Sequence, residues 1–218
     1  MGSGARWGMR TDLLALVQWL SPAFPTGSFA YSHGLESVIA GGLRSAEGVQ
    51  DWIADVLRFG AGQADAVLLA QALRVGTDHA ALDAFARAMA GSRERLIETV
   101  DQGTAFARTV AAMTGRALPP RALPVAVGEA AAALALAPED AVGMYLHGFA
   151  GNLVAVATRF VPLGQTAGQA VLVALHPVIG EMAEWAVTAT LEDIGTAAIR
   201  GDLAAMQHED MDVRIFRT

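Results

Sequence analysis

SRERLIETVDQGTAFARTVAAMTG, residues 92–115, decides the kind of fold this chain forms. Leu96, Val100, Gly103, Ala107 and Val110 recur at three- and four-residue intervals, which align side chains along one face of an α-helix. Ser92 starts this helix, which ends near Gly115. Glu94, Glu98 and Asp101, at i, i+4 and i+7 beside Arg93 and Arg95, read as a solvated face.

Helical spacing continues in both directions. Thr11 or Asp12 can cap a helix to Trp19 or Leu20, where Ser21-Pro22 stops it. The loop SPAFPTGSF follows, then a helix from Ser28 or Phe29 to Ala40, ended by Gly41-Gly42. Ser45 caps the next, with Trp52, Ile53, Val56, Leu57 and Phe59 in helical register, and further helices run over 63–75 and 78–90. Pro119, Pro120 and Pro124 mark a loop, Val125 to Leu136 is helical, and Pro138 opens a helix to about Arg159. After the turn Pro162-Leu163-Gly164 come a helix over 165–175, a separate one starting at Pro177, and a last one over 191–200. No alternating strand pattern persists. The expectation is an all-α protein: a single compact bundle of about ten helices. It spans residues 11–205, between a flexible leader (1–10) and a C-terminal docking tail (206–218).

Composition removes whole classes of function. The 218 residues include no cysteine, which excludes disulfides, thiolate metal sites and cysteine nucleophiles. Every basic residue is arginine, so a Walker A lysine and Schiff-base chemistry are impossible. A formal charge of −7 argues against nucleic acid as partner. Mean hydropathy is +0.38, but the best membrane candidate, Val142 to Thr158, is short and carries His147 and Asn152. The leader lacks a usable cleavage context. The expectation is therefore a cytoplasmic protein with no membrane partner.

No catalytic or cofactor motif is present. His33, His79, His147, His176 and His208 form neither HExxH nor any i, i+4 pair, and each reads as structural or surface. Glu181 and Glu184 are ordinary, and no G-x-S-x-G elbow occurs. No metal, cofactor or catalytic residue is expected. Three segments remain distinctive. SPAFPTGSFAYSHGLE, residues 21–36, combines a stiff loop with large apolar groups at a helix start. In residues 150–169, Asn152 sits in an apolar helix, and Gln165 and Gln169 share a face beside small residues. The tail closes on Arg214-Ile215-Phe216-Arg217-Thr218, apolar anchors flanked by forked donors.

Together these segments resemble the UreF family of urease accessory proteins. Residues 21–36 are similar to its S-P-x-x-P-x-G-x-F-x-Y-S-x-G-L-E signature, and the likeness continues through ETVDQGTAFART (98–109), LPVAVGEAAA (123–132) and NLVAVATRFVPLGQTAGQ (152–169). It ends at His208-Glu209 and the Arg-Ile-Phe-Arg-Thr terminus, although Met211, Asp212 and Val213 replace a tyrosine-containing stretch. The resemblance implies an all-α, non-enzymatic factor that joins UreD (UreH) and the GTPase UreG to deliver nickel to apo-urease, commonly as a homodimer. The alternative is a generic helical interaction module, or a regulator of a GTPase outside urease maturation. The partner-binding residues it suggests are Pro22, Pro25, Gly27, Tyr31, Ser32, Gly34 and Glu36 in the signature. Asn152, Gln165 and Gln169 follow in the second segment, and His208, Glu209, Arg214, Phe216 and Arg217 in the tail.

Overall fold

A computed structural model describes residues 3–28 and 31–195. Among them, nine α-helices carry the fold and no strand is present. In chain order they are α1 (Ser3–Trp19), α2 (Leu35–Ala40), α3 (Ala46–Phe59), α4 (Ala61–Ala72), α5 (His79–Ala88), α6 (Arg93–Thr114), α7 (Leu123–Ala131), α8 (Pro138–Phe160) and α9 (Gln165–Thr188). A short 3-10 turn, Leu191–Asp193, follows.

Local chemistry sets several helix starts. The Ser45 and Ser92 hydroxyls accept from the amides of Gly48 and Arg95 at 3.0 and 3.1 Å, and Asp78 accepts from Ala80 and Ala81, both at 3.0 Å. These side chains satisfy amides that lack helical partners. Those two amide bonds hold the Asp78 carboxyl below its ordinary range. Pro138 occupies the first turn of α8, where its missing N–H costs nothing.

Five sequence expectations change, one of them the helix expected over 125–136, which runs instead from Leu123 to Ala131. The first helix begins at Ser3 rather than at a Thr11 or Asp12 cap; Asp12 instead accepts from the amide of Ala135 at 2.9 Å. The second helix begins only at Leu35, because His33 and Gly34 adopt left-handed backbone just before it. Pro177 lies inside one continuous α9 and does not begin a new helix. It sits on the exposed face, where water can satisfy the Val173 carbonyl left without an amide donor. Beyond Asp193 the expected helix over 191–200 is not formed through Gly195, and residues 196–218 lie outside those described.

The core is arranged around α4. Every residue from Asp65 to Ala70 is buried, the signature of a helix covered on all sides. Helices α3, α5, α7, α8 and α9 all pack against it. Close approach is built with glycine. A Cβ on Gly128 of α7 would lie 2.5 Å from the Ala72 Cβ, and one on Gly103 of α6 would lie 2.0 Å from the Arg121 carbonyl. The carboxyl end of α9 is tied to α4 by Gln71 Nε2, which donates to the Ala189 carbonyl at 2.7 Å. Arg74 Nη2 adds bonds to the Val187 and Ala189 carbonyls at 3.2 and 3.3 Å. By length and composition α8 and α9 could each cross a membrane, yet 50% and 44% of their most apolar windows are buried inside the fold.

Candidate functional site

After α1 the chain turns tightly. Ser21 accepts from the Phe24 amide through its carbonyl (2.8 Å) and from the Ala23 amide through its hydroxyl (3.2 Å). Phe24 is buried against Phe106 of α6, with ring centroids 5.7 Å apart. Pro22 and Pro25 stay exposed between these anchors, and Gly27 supplies a φ of 76°. Tyr31 and Ser32 are buried at 3% and 0% exposure, and the Ser32 hydroxyl accepts from the Glu36 amide at 3.4 Å. Phe29 and Ala30 lie outside the described residues.

His33 has a φ of 51°, a conformation costly for a residue with a Cβ. Two contacts hold it there. Its ring lies 4.5 Å from that of Phe149 on α8, and Nε2 faces Glu98 Oε1 of α6 at 3.1 Å. Gly34, at φ 77°, completes the reversal into α2.

Glu98 is the correction to the solvated face expected on α6: it is 1% exposed. Gln102 Nε2 donates to its Oε1 at 3.0 Å, and Arg95 Nη1 stands 3.3 Å from Oε2 without the alignment of a hydrogen bond. Arg95 Nη2 also reaches both oxygens of Asp65 on α4 at 2.7 Å, and Tyr145 of α8 donates its hydroxyl to Asp65 Oδ2 at 2.7 Å. Burial pushes the Glu98 carboxyl up, but the His33 ring and the Arg95 guanidinium outweigh it and hold it below the usual carboxylate range. Burial also works against the Arg95 charge, and Asp65 and Glu98 together overcome it. Tyr145 is raised well above its ordinary value, by burial first and then by Asp65, so its proton stays on. Low dielectric strengthens such a network and makes any missing member costly.

This network forms the wall between two cavities. His33, Asp65, Arg95 and Glu98 line both a cavity of about 110 Å³ beside α3, α5 and Ile194 and one of about 710 Å³ under the signature turn. Asn152 and Gln169 line the larger one, and Asn152 Nδ2 donates to the Ser28 carbonyl at 2.5 Å. Thus the structure brings Asn152 to the signature turn and places Gln169 in the lining of the cavity beneath it. Gln165 lies exposed one turn earlier on α9. Gly168 between them is the close-approach point: a Cβ there would come 2.5 Å from Thr158 Cγ2 of α8. His208, Glu209, Arg214, Phe216 and Arg217 fall outside the described residues.

The UreF family model matches residues 43–176. A urease accessory protein UreF of Cereibacter sphaeroides (strain ATCC 17025) is 62% identical over 211 residues, covering 96% of this chain and 100% of the relative. Proteins of the same name from Roseobacter denitrificans and Jannaschia sp. are each 49% identical, the latter covering 100% of both chains. The chain belongs to the UreF family. The UreF resemblance read from the signature and the internal segments is thereby established. Sequence reasoning missed the pairing of Asp65, Arg95, Glu98 and Tyr145. The available signal was Asp65 and Tyr145 standing inside apolar helices, where a polar group needs a partner.

Proposed function

We propose that this chain is a urease accessory protein: a non-catalytic cytoplasmic scaffold that, as a homodimer, joins UreD (UreH) and the GTPase UreG for nickel delivery to apo-urease. What supports this reading above all is near-full-length identity to proteins named urease accessory protein UreF. The geometry is consistent with scaffolding. Charged side chains are used to fix one surface turn, and Pro22 and Pro25 are exposed on it while Tyr31 and Ser32 anchor it. Nickel is cargo in this reading, not a resident cofactor. The tail, His208 to Thr218, is assigned a docking role toward UreD, with Phe216 as anchor and Arg214 and Arg217 as charged clamps.

The test is complementation of a strain lacking this gene, with urease activity and co-purification of UreD and UreG as readouts. The full chain should restore both. The double variant Phe216→Ala, Arg217→Ala should fold and dimerise normally yet lower both. Normal urease activity in the deletion strain would overturn the reading.

A further inference from the structure

His147 and His176 are 29 positions apart in sequence and meet on the surface of the α8–α9 pair. The two helices are held close on either side of them. A Cβ on Gly143 would meet the Ala183 Cβ at 3.6 Å, and one on Gly151 would meet Leu172 Cδ2 at 3.8 Å. Between these points the two imidazole rings stand with centroids 5.5 Å apart and planes inclined by 43°. Both side chains are exposed, and His147 sits on the rim of the larger cavity.

We propose that His147 and His176 form an open two-imidazole site for a borderline divalent cation of the Ni(II), Cu(II) or Zn(II) class. Two imidazoles each bound through one nitrogen at about 2.0–2.1 Å place their centroids on the order of 5 Å apart. The observed separation therefore needs only small rotations of exposed side chains. Imidazole is a ligand for these ions and a poor one for Mg(II) or Ca(II). Burial first, and the neighbouring His176 ring second, push the His147 pKa down, which favours the neutral form that binds metal. Among the described residues no group of three His, Cys, Asp or Glu is placed to hold a metal. The pair consequently supplies two ligands and leaves the other positions to water or to a second chain. Such a site is weak and exchanges quickly, suited to passing an ion and not to storing it. The inference rests on the pair's geometry and is independent of the urease reading.

The test is calorimetric titration of the full chain with NiCl2, with imidazole NMR signals followed in parallel and MgCl2 as the control metal. One nickel should bind per chain or per pair of chains, shifting the His147 and His176 signals. His147→Ala and His176→Ala should each weaken binding by about tenfold or more, while His79→Ala leaves it unchanged. Both positions are exposed, so circular dichroism should report native helix content. Nickel affinity unchanged in His147→Ala and His176→Ala, or no saturable binding at millimolar nickel, would overturn the proposal.

Discussion

Two regions of this molecule solve the same packing problem with opposite chemistry. Where α8 meets α9, helices approach through Gly143, Gly151 and Gly168 and bury Leu153, Leu172 and Leu175, with polar groups turned outward. Where α4, α6 and α8 meet beneath the signature turn, the buried groups are Asp65, Arg95, Glu98, Gln102 and Tyr145. Apolar packing is non-directional and tolerates small shifts. A charged network demands set angles and distances, and so it can hold one residue, His33, in a backbone conformation it would otherwise leave. The contrast teaches that the polar interior fixes the shape of one turn, which apolar packing alone does not specify.

Removing the guanidinium breaks this contrast most sharply. Arg95→Met would leave Asp65 as a buried carboxylate without its counter-charge and Glu98 with His33 alone, and should destabilise the fold by about 3–5 kcal/mol, read by urea unfolding. Next comes the apolar region: Leu153→Ala should cost about 3 kcal/mol through the cavity left behind. That loss should be the same at neutral and mildly acidic pH. A pH-dependent loss for Leu153→Ala would mean the two regions are not separate.

Smallest in size but clearest in sign is the acid response. The folded pKa of Glu98 lies below its unfolded value. Its contribution is therefore complete above the ordinary glutamate value of ~4.3 and is lost as pH falls through the folded value. Melting temperature should drop over that window in the native chain, and the drop should be shallower in Glu98→Gln. Equal slopes would remove Glu98 from the acid response.

What could be read from sequence was whatever is decided within one turn of chain. Ser45, Asp78 and Ser92 cap the helices their positions announce; the stripe read along α6 is only partly its core face, since Leu96 and Val100 are half-buried and the buried side runs through Glu98, Gln102, Phe106 and Val110. Features decided by distant partners could not be read. Glu98 looks like a surface carboxylate until α4 and the signature turn close over it, and Asp65 meets Tyr145 from 80 positions away. Asp12 looks like a cap until Ala135 offers an amide. Pro177 looks like a break because the rule concerns a lost hydrogen bond, and an exposed helix face can replace that bond with water. The candidate site was legible as a motif and illegible as a mechanism, since nothing local says that His33 rests on Glu98.

Gly103 carries a consequence for how this sequence can drift. Every single-nucleotide missense change in a glycine codon introduces a Cβ, and here that atom would stand 2.0 Å from the Arg121 carbonyl and 2.7 Å from the Leu123 nitrogen. The opposing backbone cannot simply yield. Ala122 N–H is fixed to Asp83 Oδ1 at 2.6 Å and Leu123 N–H to Thr99 Oγ1 at 3.1 Å. A tolerated replacement at Gly103 therefore requires an earlier change that frees this loop from Asp83 or Thr99, so the order of substitutions, not only their identity, determines which descendants of this chain can fold.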